Sequence, residues 1–283
     1  MKMSSRHFDL PETLYDLYDS YSGLLTYTYL YSLSYTNMED RLKRAYDYVN
    51  WLWYSVYYLW LYWSQNYNID TEHSDYDFKA IVLPTLKELV SQSKPVSISV
   101  EFEWWIIDIK DIRVYVESAV KVNINFIEIL STKYYIGGIW LRKFFNQLMD
   151  ELWTQYLRAT RGMIMQKYNA LTHPYPSKEY EISTFWYDPK QLCHIVRLRI
   201  LMERFLKWDY SFIHTWSERD KLIDIKSWKF SLDEAKHMAD NYVKSSEMIL
   251  NNYSHVDTYD AKEKMITFSR DLIYNNIISL IKQ

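Results

Sequence analysis

The most apolar run of the chain is VNWLWYSVYYLWLYW, residues 49–63, and it limits what the protein can fold into. The run is shorter than the roughly 20 residues that a membrane-spanning helix needs, and four tyrosines and a serine interrupt it. Aromatic and β-branched residues favour extended structure, so SVYYLWLYW is predicted to be a buried strand. The run therefore indicates a protein built around a sheet, and we expect no membrane partner.

The composition is that of a globular protein. The chain has 283 residues, of which 48% are hydrophobic and 24% charged, so it is long enough for one large domain or two modest ones. The net charge of −3 provides no broad basic field for long duplex nucleic acid, although it leaves room for a local basic site.

Cysteine and histidine usage narrows the chemistry. Cys193 is the only cysteine, which excludes an internal disulfide and a multi-cysteine zinc site and fits a reducing compartment. The chain start lacks the pattern of a signal peptide, so we expect a cytoplasmic protein. The seven histidines are scattered without a paired metal-binding spacing, which argues against a zinc site on sequence grounds.

Strand patterns dominate the first half of the chain and helical patterns the second. VSISVEFEWWIIDI alternates between apolar and polar residues, which predicts a half-buried strand with a hairpin turn near Trp104–Trp105. From about residue 140 onward, the pattern becomes helical throughout. Asp188 and Pro189 form a strong helix-start signal, and Ser231 with Glu234 forms a capping box.

These patterns predict an α+β protein with a small mixed sheet, flanking helices and a C-terminal helical bundle. We place the sheet in a domain of residues 1–139, with an N-terminal helical extension, and the bundle in residues 140–283. The sequence does not indicate an oligomeric state.

Two aspartates carry the first hint of chemistry. Asp75 and Asp77 are two residues apart in DYDFKAIVLP, which is predicted to be a strand, so their side chains share one face. Close carboxylates repel one another unless a cation lies between them, and Mg²⁺ suits two carboxylates together with substrate phosphates. Asp108, at the end of the next long strand, is the natural third acid. On spacing alone, a solvated turn explains the pair better than a metal site does.

The wider context favours the metal site, because the sequence resembles the nucleotidyltransferase superfamily of the DNA polymerase beta type. It is similar to the phage and bacterial branch of RNA-repair-pathway nucleotidyltransferases. The similarity spans roughly residues 55–250 and rests on an ordered set of segments: SQNYNIDTEHSDYDFKAIVLP, IDIKDIR, NINFIEILSTKYYI, MQKYNALTHPYPSK and YDPKQLCHIVRL.

The resemblance implies transfer of a nucleoside monophosphate from a nucleoside triphosphate to an acceptor, with Mg²⁺ as cofactor. It implies that Asp75, Asp77 and Asp108 bind the metals, with Asp108 also a candidate for activating the acceptor hydroxyl. Ser64 would help hold the triphosphate. The acceptor could be an RNA or tRNA end, a protein or a small molecule.

One predicted helix adds candidate phosphate ligands, namely Lys190, His194 and Arg197, which fall on one helical face. A solvated helix face explains these three residues equally well. Lys79 and Lys110 are expected to play no part in the site.

The departure from the family pattern is Trp63, which stands where the family has glycine before Ser64. A side chain there obstructs the approach of backbone N–H groups to phosphate. Trp186 and Trp228 also occupy turn positions where glycine is expected, and the whole chain has four glycines and 12 tryptophans. Three explanations remain open: UGA codons that the organism reads as glycine, a diverged non-catalytic binding module, or a loop that tolerates the indole.

Overall fold

The computed structural model of the protein describes residues 38–62, 64–71, 74–173, 179–253 and 259–281. Trp63 and most of the predicted N-terminal extension lie outside the described residues. From Leu42 onward, the chain forms one compact unit. No described helix combines the length and apolar character needed to cross a lipid bilayer.

In the first half of the chain, the described elements are strands interspersed with helices. In the second half, they are helices. The strands are β1 Ser55–Tyr62, β2 Asp77–Leu83, β3 Ser97–Phe102, β4 Trp105–Asp111 and β5 Tyr135–Gly137. The helices are α1 Met38–Trp51, α2 Ser64–Tyr67, α3 Leu86–Val90, α4 Ile112–Val120, α5 Ile124–Ile127, α6 Ile139–Ala170, α7 Glu179–Phe185, α8 Pro189–Phe205, α9 Trp216–Lys226, α10 Leu232–Tyr253 and α11 Tyr259–Ile281, with a 3₁₀ turn at Glu128–Leu130.

The five strands form one mixed sheet in the order β3-β4-β2-β1-β5. Strands β2 and β4 are parallel, and the other neighbouring pairs are antiparallel. The part of the aromatic run from Ser55 to Tyr62 forms β1, whose central residues Tyr58–Leu61 are buried, which confirms the predicted strand. The predicted hairpin is also confirmed, with its turn at Glu103–Trp104 between β3 and β4.

The helix-start signals act as predicted. The Asp188 carboxylate caps α8 by accepting a hydrogen bond of 2.8 Å from the backbone N–H of Lys190. Ahead of α10, the backbone N–H of Ser231 donates to Glu234 Oε2 at 2.8 Å, while the N–H of Glu234 donates to Ser231 Oγ at 3.4 Å. These caps fix where α8 and α10 begin.

The predicted α+β class is confirmed: a mixed five-stranded sheet with flanking helices precedes a helical part. One connected apolar core includes Tyr58 of β1, Tyr115 of α4, Leu198 of α8 and Met265 of α11. The division into domains at residues 139 and 140 stays a prediction.

Candidate functional site

Two of the predicted acids come together because β2 and β4 are neighbouring parallel strands. Asp77 begins β2 and is paired with Ile106 of β4, and Asp108 of β4 is paired with Lys79. Residues two apart on a strand share a face, so Asp77 and Asp108 lie on the same side of the sheet. Asp75 precedes β2, so the prediction that it lies on this strand is wrong, and its side chain is exposed.

A side chain of α2 connects the Ser64 helix to the segment that carries Asp75. Gln65 Nε2 donates hydrogen bonds to the backbone oxygens of Asp75, at 2.5 Å, and of Ser74, at 3.3 Å. Ser64 Oγ in turn donates to Gln65 Oε1 at 3.2 Å. The side chain of Gln65 therefore ties helix α2 to the segment that carries the first predicted acid.

The charge balance at Asp77 places the three predicted acids in one electrostatic environment. Burial raises the pKa of Asp77 to about 6, and the negative charges of Asp75 and Asp108 add to this rise. The cations Lys190 and Lys79 partly oppose it. A carboxyl with a raised pKa is a group whose ionised form lacks sufficient positive charge, so a bound cation would stabilise it.

Asp108 also has a local partner, because its Oδ1 accepts a hydrogen bond from Ser99 Oγ on the adjacent strand β3. Within the described residues, no three side chains of His, Cys, Asp or Glu lie close enough together to hold a metal ion unaided. The charges of Asp75 and Asp108 thus act on Asp77, and the three carboxylates do not form a closed protein cage.

A cleft of about 320 Å³ opens beside the first two acids. The indole of Trp104, at the tip of the β3–β4 hairpin, is 64% exposed at this cleft. The lining residues are Asp75, Asp77, Glu101, Glu103, Trp104, Trp105 and Ile106. The cleft gives a second molecule access to the carboxylates from the hairpin side.

The predicted phosphate ligands line a separate, smaller pocket of about 60 Å³. Successive turns of α8 bring Lys190, His194 and Arg197 to this pocket, where they meet Ser64 of α2. His194 and Arg197 are buried, so a solvated helix face is the wrong interpretation of these two residues. The pocket lining is Ser64, Ile69, Lys190, Cys193, His194, Arg197 and Lys226.

The pocket concentrates positive charge. Burial lowers the pKa of His194 well below its ordinary value, and the neighbouring cations, with Arg197 first, lower it further, so the imidazole is neutral at pH 7. Burial and the charges of Lys190 and Arg197 also lower the pKa of Lys226 and Lys167. Lysines whose pKa values are lowered by neighbouring cations are stabilised by a bound anion, so this pocket suits a phosphate group.

Sequence reasoning missed Lys226, which lines this pocket. Lys226 ends α9, 162 positions after Ser64, and its Nζ donates to the backbone oxygen of Ile69 at 3.1 Å. Only the packing of α9 against the loop after α2 places it at the pocket, and no motif marks it. On α2, the amide of Asn66 is buried, and neither its oxygen nor its nitrogen has a hydrogen-bond partner within the described residues.

Comparisons with known proteins give a faint likeness. No protein-family model matches the chain, and no curated protein does. Among solved structures, the crystal structure of a nucleotidyltransferase-like protein from Exiguobacterium sibiricum 255-15 is similar over 76% of this chain and 75% of that protein, at 9% identity and a TM-score of 0.30.

Proposed function

We propose that the protein transfers a nucleoside monophosphate from a nucleoside triphosphate to an acceptor hydroxyl. The acceptor oxygen forms a bond to the α-phosphorus, the bond from that phosphorus to the bridging oxygen breaks, and pyrophosphate leaves. The observation that carries the proposal is the adjacency of an acidic group and a cationic pocket. Lys190 lines the pocket and also acts on the pKa of Asp77, so the two charge clusters lie within electrostatic reach of one another.

The cationic pocket would hold the phosphates. Lys190, Arg197 and Lys226 would offset the charge that develops on the leaving pyrophosphate, which lowers the barrier because the donors are already in place. Ser64 Oγ would add a neutral hydrogen bond. Neutral His194 would donate a hydrogen bond from its ring.

The acids would hold magnesium. Mg²⁺ binds oxygen ligands and usually takes one or two carboxylates together with substrate phosphates, so Asp75, Asp77 and Asp108 fit it chemically. The crowded charge at Asp77 supports this fit. When bound, Mg²⁺ would polarise the phosphate and lower the pKa of the acceptor hydroxyl. The carboxylate of Asp108 would accept the proton of that hydroxyl.

The acceptor would enter through the cleft beside Asp75 and Asp77. An RNA or tRNA end, a protein hydroxyl or a small molecule each remains a candidate. A net charge of −3 favours a partner that needs only a local contact over one that covers a long nucleic-acid surface.

Label transfer tests the proposal. The protein is incubated with Mg²⁺ and each of the four nucleoside triphosphates, labelled at the α-phosphate, together with cellular RNA or protein extract. We expect label on one acceptor class, and we expect Asp77→Asn to reduce transfer by about a hundredfold to a thousandfold, as loss of one transition-state charge ligand does.

Glu263→Gln is the matched control, since Glu263 is an exposed carboxylate on α11 and should not affect transfer. Trp63→Gly is assayed in parallel. Nucleotide binding without transfer in both the original and the Trp63→Gly protein would identify a non-catalytic binding module instead. Absence of both binding and transfer would refute the proposed function.

A further inference from the structure

Lys79 is a buried cation on β2, two residues after Asp77. Its side chain is 6% exposed, and its Nζ donates to Glu128 Oε1 at 3.1 Å and to the backbone oxygen of Asn125 at 2.7 Å. The ammonium also lies 3.9 Å from the centre of the Tyr62 ring. These contacts fix Lys79 within β2, the strand that carries Asp77. The neighbouring strand β4 carries Asp108.

Glu128 extends this contact away from the sheet. Its side chain is completely buried, and while one oxygen accepts from Lys79, the other accepts a hydrogen bond from the hydroxyl of Tyr67. Both carboxylate oxygens are therefore used, and they join β2 to the last residue of α2.

Tyr67 carries the connection to the cationic pocket. Its ring is buried, and the guanidinium carbon of Arg197 lies 4.1 Å from the ring centre. A cation held over the face of an aromatic ring is attracted by the ring electrons, so the position of the ring influences the position of the guanidinium. Arg197 lines the pocket that also contains Ser64.

We propose that Lys79, Glu128 and Tyr67 are positioning residues that align the phosphate-binding Arg197 with the acids on β2 and β4. This inference rests on the proposed function. The three residues would touch neither nucleotide nor metal. They would act by fixing the distance between two clusters that come from different parts of the chain.

The energetics of buried ion pairs support a positional role. A buried pair gains little net stability, because the cost of removing both charges from water offsets most of their attraction. An apolar pair of similar volume would serve stability as well, but it would not fix both carboxylate oxygens of Glu128 in hydrogen bonds. The retained polar contacts therefore specify geometry more than they add stability.

Tyr67→Phe tests the role, because it keeps the ring beneath Arg197 and removes only the hydroxyl that reaches Glu128. Tyr115→Phe is the matched control. Tyr115 is equally buried, and its hydroxyl also makes one hydrogen bond, of 2.9 Å to the backbone oxygen of Phe126, but it lies outside the pocket. Binding of inorganic tripolyphosphate with Mg²⁺ is measured by calorimetry on all three proteins, alongside their thermal unfolding.

We expect Tyr67→Phe to weaken tripolyphosphate binding about fivefold, equal to about 1 kcal/mol, and Tyr115→Phe to leave it unchanged at a similar melting temperature. Equal effects of the two substitutions on binding, or none from Tyr67→Phe, would overturn the inference.

The double variant Lys79→Met/Glu128→Met keeps the volume and should weaken binding similarly; unchanged binding would also overturn the inference. A wild-type protein that binds no tripolyphosphate would refute the proposed function as well, which distinguishes the two failures.

Discussion

At the scale of single residues, the positions of four tryptophans stand out. Within the described part of the chain, eight non-glycine residues have a positive φ, and half of them are tryptophan: Trp53 at +65°, Trp186 at +68°, Trp208 at +59° and Trp228 at +59°. For a bulky residue, this left-handed backbone conformation is a genuine outlier.

All four tryptophans sit just beyond the end of a helix, where glycine is the usual residue. After α1, for example, the N–H of Trp53 donates to the Asn50 oxygen at 2.9 Å and that of Tyr54 to the Val49 oxygen at 3.4 Å. This pair of hydrogen bonds is the Schellman motif, whose left-handed residue is normally glycine. The positive φ angles of Trp186 and Trp228 confirm that these two turns have the geometry for which glycine was expected.

This pattern favours codon reassignment among the three explanations for the tryptophans. Divergence or loss of activity does not explain tryptophan at the ends of four separate helices. UGA codons that the organism reads as glycine would produce that distribution. Trp63 itself lies outside the described residues, so its case rests on the other positions. Reassignment predicts UGA codons at 53, 63, 186, 208 and 228, and UGG at the buried core residues Trp60 and Trp105; UGG at the first five would exclude it.

A pair of substitutions tests the strain directly. Trp53 is 93% exposed, so Trp53→Gly loses almost no burial and relieves the left-handed backbone. We expect the free energy of unfolding to rise by about 0.5–1 kcal/mol. Trp51→Gly, two residues earlier on an exposed helical position, should lower it by about 0.5 kcal/mol. Urea unfolding measures both, and a loss of stability in Trp53→Gly would show that the indole is the residue this turn requires.

At the scale of helices and strands, local patterns predicted most of the architecture. The aromatic run, the hairpin and the caps at Asp188 and Ser231 could be predicted because periodicity and capping depend on residues that are close in sequence. The pattern could not show that α6 is a single helix of 32 residues or that Asp75 precedes its strand. Element boundaries depend on packing and on hydrogen bonds such as that from Gln65 to the Asp75 backbone.

The start of α6 gives a prediction at this scale. Gly138 precedes the helix with φ +63°, and a Cβ there would lie 2.0 Å from Cδ2 of the buried Tyr58. We expect Gly138→Ala to lower the free energy of unfolding by about 2–4 kcal/mol, through overpacking and backbone strain. Gly162 is exposed inside the same helix, and a Cβ added there would meet no atom within 4 Å, so Gly162→Ala should gain about 1 kcal/mol. Equal effects in urea unfolding would show that the contact with Tyr58 does not limit this turn.

At the scale of the whole molecule, the candidate site depends on contacts that no local pattern contains. The sequence indicated no role for Lys79, yet its ammonium is paired with Glu128, 49 positions later. Lys226 lines the same pocket as Ser64 although the two residues are far apart in sequence. Charge is therefore separated within one molecule: carboxylates gather at β2 and β4, while cations gather on α8 and at the end of α9. The net charge of −3 does not reveal this separation, because it is a sum over the whole chain and contains no information on where the charged side chains lie in the fold.

The charge separation carries a cost that can be measured. Burial raises the pKa of Asp77 to about 6, from an ordinary value of 3.8, so the folded protein holds this proton more tightly than the unfolded chain does. By linkage, the contribution of Asp77 to stability falls as the pH rises from about 4 to about 6, and the penalty is complete above that range. A carboxyl that served only the fold through an ion pair would show the opposite sign.

Asp77→Asn should therefore stabilise the protein at pH 7 while it strongly reduces magnesium-dependent transfer. After allowance for solvent screening of a half-buried carboxyl, we expect a gain of about 1 kcal/mol, or roughly 2–4 °C in melting temperature. The difference should vanish near pH 4, where Asp77 is protonated in the folded protein. Mg²⁺ should raise the melting temperature of the wild type and not of the variant, because the ion offsets the charge that the fold leaves uncompensated. A lower melting temperature of Asp77→Asn than of the wild type at pH 7 would mean that the Asp77 carboxylate stabilises the fold. It would contradict the role of Asp77 as a metal ligand whose charge is uncompensated in the folded protein.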